Sequence, residues 1–462
     1  MDKKSELLLP AGSLSKLKTA FLYGADAVYC GVPNMSLRAT AGMSYEDVAE
    51  GVKIAHSMDK KIYLALNLYT HNSDIPNLPK YINVLNDLSP DGVIIADPGV
   101  FKYVKDNAPN IPLFISTQAN VCSSLTLKFW EDLGASLCVL GRETSFAEIA
   151  EIKKSAKIKI EMFIHGAMCM SYSGRCLLSN FLTNRSANQG KCAQSCRWKY
   201  NLLARPKEDI KNYDFVLEEN NRHGEYMPIE EDDRGAYILN SKDMCLLPKL
   251  PQILDAGIDS LKVEGRNKSE YYVGSVARVY RKAIDDYYSS PSTWKVENYM
   301  QELHTLQNRG YTYGFFDGIL SHHANNYETT ASDGIYRNVG FVKSFNDNYM
   351  IVELRNNVSV GDIVELLSPI VFTPLKIKLE FIIDGKDFSI VQSGKLSAGH
   401  EKSIAIPFDW ILKTGFYNDI ISIEKSFPVL TLLRKFRTEL TLDEIEDLKN
   451  HSSSIEEMKL KL

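Results

Sequence analysis

The sequence predicts an α/β protein built on a closed (β/α)8 TIM-like barrel, and three observations support that prediction. Short apolar runs alternate with helical stretches through the first part of the chain, as in parallel strands joined by helical crossovers. Eight such units can be found, and eight is the number that closes a barrel. Polar residues end nearly every predicted strand, where barrel enzymes carry their chemistry. An open, doubly wound sheet is the alternative.

Each predicted strand is an apolar run that ends at a turn or a polar residue. The eight are Glu6–Gly12, Ala25–Gly31, Lys61–Asn67, Gly92–Asp97, Leu113–Gln118, Leu137–Arg142, Ile160–His165 and Leu261–Arg266. Helical periodicity predicts the helices Tyr45–Met58, Leu78–Leu88, Ser124–Leu133 and Phe146–Lys154 between them. The seventh and eighth strands are separated by roughly 95 residues, and a connection of that length is usually functional.

Three regions follow from this pattern. Residues 1–333 form the predicted barrel domain, with an insertion at about 167–258 in which Glu230–Asp233 is expected to be a solvated turn. Residues 334–425 alternate apolar and polar positions between turns, which predicts a small antiparallel β-barrel. Its expected strands include Tyr349–Leu354, Asp362–Leu366, Ile377–Ile383 and Asp419–Ile423. Residues 426–462 are expected to form a C-terminal helical tail, since Thr441 and Glu444 have capping-box spacing.

Composition limits the class of protein. The chain of 462 residues is 44% hydrophobic and 24% charged, as in an ordinary globular protein rather than a disordered or fibrous one. It has no signal peptide and no run of the roughly 18 apolar residues that a membrane helix needs, so a cytoplasmic protein is expected. The chain has 8 cysteines, and in that reducing compartment the clustered ones are expected to bind metal or take part in catalysis rather than form disulfides. The net charge of −5 gives no global sign of nucleic-acid binding, but a local basic face remains compatible with it.

Five cysteines lie in or close the predicted insertion. They are Cys169, Cys176, Cys192, Cys196 and Cys245. Four thiolates can hold a 4Fe-4S cluster or a tetrahedral zinc ion. Zinc sites usually pair their ligands as CxxC, a spacing that is absent here, so an iron–sulfur cluster is favoured. Burial as ordinary core residues is the alternative, and it is the better interpretation for Cys122 and Cys138.

Several segments carry a family resemblance. They are Leu8–Gly12, Gly24–Tyr29, Gly141–Glu143, Glu161–Cys169, Tyr172–Ser179, Lys262–Arg266 and Asn308–Phe316. In these segments the chain resembles the peptidase U32 family, and the resemblance runs from about residue 5 to residue 425. It is strongest to the members that act in tRNA hydroxylation, through Ala187–Tyr200.

The resemblance implies a barrel protein whose iron–sulfur cluster takes part in forming 5-hydroxyuridine at the tRNA wobble position. The implied reaction depends on prephenate as a co-substrate and is independent of molecular oxygen. The implied cluster ligands are Cys169, Cys176, Cys192 and Cys245, and Cys196 is an alternative ligand. Some relatives hydroxylate ribosomal RNA instead, so the implied target is open between tRNA and rRNA.

Five further residues are candidates for the catalytic site. Arg142 and Arg266 end two strands, and a guanidinium binds a carboxylate or a phosphate through two hydrogen bonds. An internal ion pair with a glutamate such as Glu264 is the alternative. His165 is a candidate proton donor or a partner of a cluster ligand, although a structural hydrogen bond is the more common role of such a residue. Glu161 lies inside a strand, where an inward carboxylate is costly unless it is paired.

Basic and aromatic residues alternate in the insertion, as a protein that stacks on unpaired bases requires. The candidate RNA-binding residues are Arg175, Arg185, Lys191, Arg197, Trp198, Lys199 and Tyr200. A second basic run, Arg434–Arg437, precedes the tail. Either run could instead be an ordinary solvated surface.

Two other functions remain as alternatives. The first is a peptidase, but the sequence has no HExxH or GxSxG motif and no evident Cys–His pair with an orienting group. The second is a non-catalytic RNA-binding protein in which a metal only holds the long insertion together.

Overall fold

The computed structural model describes residues 4–31, 43–168, 192, 241–318, 334–392, 394–399 and 402–437, together with short strands between residues 216 and 237. The predicted tail helix and most of the insertion lie outside the described residues.

The strands before residue 318 are mostly short and buried. They are β1 (Glu6–Pro10), β2 (Ala27–Gly31), β3 (Lys61–Leu66), β4 (Gly92–Ile95), β5 (Leu113–Ile115), β6 (Leu137–Val139), β7 (Lys159–Ala167), β8 (Val216–Glu218), β9 (Tyr226–Pro228), β10 (Glu230–Asp232), β11 (Gly235–Tyr237), β12 (Asp243–Cys245), β13 (Ser260–Val263) and β14 (Tyr311–Thr312). Strands β1–β7 and β13 are parallel, and β13 pairs with both β1 and β7. That last pairing closes the sheet, so the predicted (β/α)8 barrel is confirmed and the open sheet is wrong.

Helices connect the barrel strands and cover their outer faces. They are α1 (Leu14–Leu22), α2 (Tyr45–Ser57), α3 (Leu78–Leu88), α4 (Pro98–Asn107), α5 (Ser124–Asp132), α6 (Phe146–Ser155), α7 (Leu250–Asp255), α8 (Glu270–Ser289) and α9 (Glu297–His304). Serine begins several of them by accepting a hydrogen bond from the first turn, and Ser145 and Glu148 form a full capping box at α6. Local capping thus fixes where the crossovers begin.

The insertion returns to the barrel beside the end of β7. Strand β12 pairs antiparallel with the last three residues of β7, and β14 pairs parallel with β12. The small sheet at the carboxyl end of β7 therefore extends the barrel wall. The acidic run Glu230–Asp233 is not the turn that the sequence predicted, because its first three residues form β10 and pair with β11.

A second domain follows, made of short strands and two helices. They are β15 (Tyr336–Phe345), β16 (Tyr349–Leu354), β17 (Val358–Ser359), β18 (Ile363–Leu367), β19 (Leu375–Lys378), β20 (Ile382–Ile383), β21 (Ile390–Val391), β22 (Lys395–Leu396), β23 (Ser403–Pro407), α10 (Phe408–Leu412), α11 (Ile420–Ser426) and β24 (Leu432–Phe436). Its main sheet is antiparallel, in the order β19-β18-β24-β15-β16-β23. This half-barrel agrees with the predicted class of the domain.

Two expectations about the second domain are corrected. The run Asp419–Ile423 was expected to be a strand, but Asp419 accepts a hydrogen bond from the amide of Ser422 and so begins helix α11. Strand β24 lies beyond residue 425, in the region expected to be a helical tail, yet it sits between β18 and β15 inside the sheet. The sheet is complete only when the chain returns from α11.

The two domains are joined through buried ion pairs. The carboxylate of Glu302 in α9 binds Arg278 of α8 at 3.2 Å and Arg434 of β24 at 2.9 Å. Arg434 also binds Glu365 at 2.8 Å, and it is 2% exposed. The first arginine of the basic run Arg434–Arg437 is therefore part of a domain interface and not of an exposed RNA-binding face.

Among the described residues, a cleft of about 890 Å³ lies at the amino-terminal face of the barrel, where residues such as Glu6, Lys61 and Ser260 line it. Its lysines and arginines include Lys61, which binds Glu6 at 2.7 Å, and Arg281, which binds Asp26 at 2.9 Å. The cleft is at the opposite end from the face that carries barrel chemistry. No helix in the described part of the chain is long and apolar enough to cross a membrane.

Candidate active site at the barrel mouth

The floor of the barrel mouth holds a buried ion pair. Lys262 of β13 binds Glu161 of β7 at 2.7 Å, with side chains only 5% and 1% exposed. Ser260 donates a second hydrogen bond to the same carboxylate at 3.0 Å. The ammonium group lies 4.4 Å from the ring centre of Tyr29 and 5.5 Å from that of Phe163. Glu161 is thus an inward carboxylate that is paired, as its cost in an apolar interior requires.

Arg142 lies above this pair. Its guanidinium is 3.9 Å from the ring centre of Phe163, donates to the carbonyl oxygen of Ala167 at 2.8 Å and contacts Glu264 at 3.4 Å. The Arg142 and Glu264 side chains are each 12% exposed. In the described residues, the Nε atom of Arg142 is buried without a hydrogen-bond partner. The internal Arg–Glu pair expected as an alternative is present, and it leaves one donor of Arg142 for a ligand.

Arg266 follows β13 and lies against the first strand. Its guanidinium is 5.9 Å from the ring centre of Tyr29, and its backbone carbonyl accepts from Lys16 at 3.4 Å. A Cβ atom on Gly12 would overlap that carbonyl, so the glycine that ends the first predicted motif allows Arg266 to pack there. The structure therefore brings Arg142, Glu264 and Arg266 together at the mouth, with the Lys262–Glu161 pair beneath them.

His165 faces away from the mouth. Its ring lies 5.6 Å from the rings of both Tyr280 and Tyr311 and 6.0 Å from Tyr272, between the barrel wall and α8. Its Nδ1 atom lies 3.4 Å from the hydroxyl of Tyr280. Burial lowers the pKa of His165 to about 4, so the ring is neutral at physiological pH. These contacts match the structural role that the sequence left open.

Cys245 lies beside His165 and shares its surroundings. The two residues are opposite each other in the β7–β12 pair, and the Cys245 sulfur is 3.8 Å from the Tyr280 hydroxyl and 4.0 Å from the Met300 sulfur. Burial raises the pKa of the Cys245 thiol to about 12. A cysteine protease needs an ionised thiolate beside a proton-accepting histidine, and this buried neutral pair does not provide one.

The predicted cluster ligands are only partly described. Cys192 is exposed and Cys245 is fully buried, whereas Cys169, Cys176 and Cys196 lie outside the described residues. A thiolate is a soft metal ligand, and metal binding would remove the proton that burial otherwise keeps on Cys245. The seven candidate RNA-binding residues of the insertion also lie outside the described part of the chain.

Two site residues escaped the sequence reasoning. Lys262 belongs to the segment Lys262–Arg266, but only its pairing with Glu161 identifies it as part of the mouth floor. Gln118 was noted only as a polar strand end; its amide is buried on the mouth rim and accepts a hydrogen bond from Asn67 at 2.5 Å. The signal for Lys262 was its position two residues before Glu264 in the same predicted strand, since residues two apart point to the same face.

Comparison with known proteins identifies the family. The model described as Peptidase family U32 matches residues 12–326, well over half of the chain. The chain belongs to peptidase family U32. The expected family resemblance is therefore confirmed over residues 12–326, which include most of the barrel domain and the strand ends at Arg142, Glu264 and Arg266.

Three U32 relatives are informative. The tRNA hydroxylation protein P of Escherichia coli K12 is 37% identical over 394 residues, covering 79% of this chain and 86% of the relative. The tRNA hydroxylation protein P1 of Bacillus subtilis 168 is 38% identical over 373 residues, covering 80% and 85%. The 23S rRNA 5-hydroxycytidine C2501 synthase of Escherichia coli K12 is 35% identical over 280 residues, covering 61% of this chain and 39% of that protein.

Proposed function

We propose that this U32 protein is a tRNA hydroxylase that forms 5-hydroxyuridine at the wobble position, using prephenate and an iron–sulfur cluster and no molecular oxygen. The observation that carries the proposal is the similarity to two tRNA hydroxylation proteins over about four fifths of the chain. The rRNA-modifying relative aligns with a smaller share of the chain, and over less than half of its own length.

The charges at the mouth support an anionic co-substrate. Arg142 and Arg266 lie at the mouth, Glu264 contacts Arg142, and Lys262 and Glu161 form the ion pair beneath them. A carboxylate of prephenate or a phosphate of the RNA would be attracted to the two arginines, and that attraction is strong where water is excluded. Arg142 would bind that group with its unpartnered Nε atom.

The cluster would be held by Cys169, Cys176, Cys192 and Cys245, with Cys196 as the alternative ligand. Replacing C5–H by C5–OH removes two electrons from uridine, and an iron–sulfur cluster held there would supply redox chemistry in one-electron steps. Tyr280 and Met300 would contact the Cys245 sulfur from the helical side. His165 would support that wall as a neutral ring rather than serve as an acid.

The target base would have to leave the anticodon stack. Enzymes that act on a base usually extrude it into a pocket, and in this protein the base would enter the mouth beside the cations Arg142 and Arg266. The insertion would supply further contacts through its basic and aromatic residues, such as Arg197, Trp198 and Tyr200.

Metal analysis after anaerobic purification tests the cofactor. The expected result is a brown protein with about four irons and four sulfides per chain, in line with a 4Fe-4S cluster. Cys245→Ser should lower the iron content, whereas Cys122→Ser, a cysteine outside the cluster, should leave it unchanged. Comparing Cys196→Ser with Cys245→Ser decides which of the two is a ligand. A colourless protein that contains zinc would refute the redox mechanism.

Nucleoside mass spectrometry tests the reaction. tRNA from a strain that lacks the gene should lose 5-hydroxyuridine, and wild-type protein should restore it, whereas Arg142→Ala should not. Cells that cannot make prephenate should lose 5-hydroxyuridine from their tRNA, as cells that lack the gene do. Unchanged tRNA with loss of hydroxycytidine in 23S rRNA would assign the protein to the rRNA-modifying branch instead.

A further inference from the structure

The amide of Gln118 is buried at the rim of the mouth with one unused donor. Gln118 follows β5 in a short helical turn and is 3% exposed. Among the described residues, its Nε2 atom has no hydrogen-bond partner. A buried donor without an acceptor costs free energy, and in native proteins such a group usually has a bound ligand or an ordered water as its partner.

Neighbouring donors fix the orientation of this amide. The Oε1 atom of Gln118 accepts from the Nδ2 atom of Asn67 at 2.5 Å and from the hydroxyl of Ser116 at 3.5 Å. The hydroxyl of Tyr69 donates to the backbone carbonyl of Gln118 and holds the turn in place. Since two donors converge on Oε1, the opposite side of the amide must present N–H groups.

The amide lies at the carboxyl-terminal face of the barrel. Asn67 follows β3 and Gln118 follows β5, so their contact bridges the end of β4 on the carboxyl-terminal face of the barrel. The next residue pair along the rim links Thr117 to the carbonyl oxygen of Leu140 at 3.0 Å, two residues before Arg142. The unpartnered donors of Gln118 and Arg142 thus belong to neighbouring strand ends.

We infer that the Nε2 atom of Gln118 donates a hydrogen bond to the C4 carbonyl oxygen of a pyrimidine and thereby selects uracil over cytosine. Uracil presents an acceptor at C4, whereas cytosine presents an amino group, which is a donor. A fixed N–H donor forms a hydrogen bond with the C4 oxygen of uracil but is repelled by the amino group of cytosine. The inference rests on the proposed function, because it names the atom of the target base that the mouth reads.

Atomic substitution in the RNA tests this contact. Anticodon stem–loops with uridine, cytidine or 2-pyrimidinone at the wobble position are bound to the full-length protein and followed by fluorescence anisotropy. The 2-pyrimidinone base lacks the C4 oxygen and, with it, the N3 proton of uracil, so the Gln118 variants below assign the effect to the C4 contact. Wild-type protein should bind the uridine RNA about tenfold more tightly than either of the other two, which is the effect of one buried hydrogen bond.

Variants of Gln118 make the test specific. Gln118→Glu keeps the shape but replaces the donor by an acceptor, so it should lose the preference for uridine over pyrimidinone and favour cytidine. Gln118→Met should bind all three RNAs equally, and this second variant removes the added charge as a cause. Gln252→Glu, an exposed glutamine in α7, is the matched control and should retain the wild-type preference. Thermal melting of each variant checks that it is folded.

The outcomes separate the inference from the function beneath it. Equal binding of uridine and pyrimidinone RNA by wild-type protein overturns the inference, as does an equal loss of affinity for all three RNAs in both Gln118 variants. In either case, tRNA from cells with wild-type protein would still contain 5-hydroxyuridine, and the proposed function would survive. If that nucleoside is absent, the proposed function fails, and the inference fails with it.

Discussion

Replacing Lys262 by methionine tests the buried ion pair at the mouth floor. Methionine has nearly the length of lysine but no charge, so the carboxylate of Glu161 would stay buried with only the Ser260 hydroxyl as a described hydrogen-bond donor. At 2.7 Å the pair attracts with about 6 kcal/mol at an effective dielectric constant of about 20, and desolvation of both groups offsets most of that. Removing the lysine leaves the desolvation cost of the buried Glu161 carboxylate without the attraction that offsets it. The expected loss is about 3–5 kcal/mol in the free energy of unfolding.

Chemical denaturation followed by circular dichroism measures that loss. The double variant Glu161→Leu with Lys262→Met should regain at least about 2 kcal/mol, because no unpaired charge remains. Lys102→Met, which breaks the exposed pair with Asp106, should cost no more than about 0.5 kcal/mol. The reasoning is refuted if Lys262→Met costs as little as this control, or if the double variant is less stable than either single variant. Activity that stays lost in the stable double variant would show that the Glu161–Lys262 pair contributes to function as well as to stability.

Three further variants probe the domain interface, the acid response and the close packing of the mouth. Glu302→Ala leaves two buried guanidiniums, including Arg434, without their shared carboxylate, so limited proteolysis should separate the domains and the free energy of unfolding should fall by about 3–5 kcal/mol. Burial lowers the pKa of His304 to about 4, so as pH falls from 6.5 the unfolded state gains a proton before the folded state does, and stability is lost between pH 6.5 and 4. His304→Gln should remove about 3 kcal/mol of that loss, as measured by denaturation at both pH values. Gly12→Ala should cost about 1–3 kcal/mol and reduce activity, whereas Gly399→Ala, where a Cβ meets only a flexible side chain, should be neutral in the same melts.

Much of the barrel could be predicted because its signals are local. Buried parallel strands such as β1 read as unbroken apolar runs, and the serine caps mark the helix starts. The prediction for Asp419–Ile423 was wrong for the same reason, because the isoleucines at 420, 421 and 423 resemble a strand. Only the hydrogen bond from the amide of Ser422 to the Asp419 side chain marks the start of a helix. The position of β24 depends on tertiary contacts that no local pattern predicts, because its neighbours β18 and β15 are far away in the sequence.

The site was predictable where strand parity held and not where it broke. Glu161 and Phe163 are two residues apart on β7 and both point into the barrel, as expected for a regular strand. The same spacing would place His165 in the mouth as well. The pairing of β7 with β13 shifts register between Lys262 and Val263, so Ile164 becomes an extra residue and His165 turns to the helical side. That bulge has no sequence signature of its own. It also places Cys245, which lies opposite His165 in the β7–β12 pair, behind the barrel wall and not in the mouth. In the proposed function, Arg142, Lys262, Arg266 and the rim amides would therefore form the substrate side of the site, and a cluster held by Cys245 would exchange electrons with it through the barrel wall.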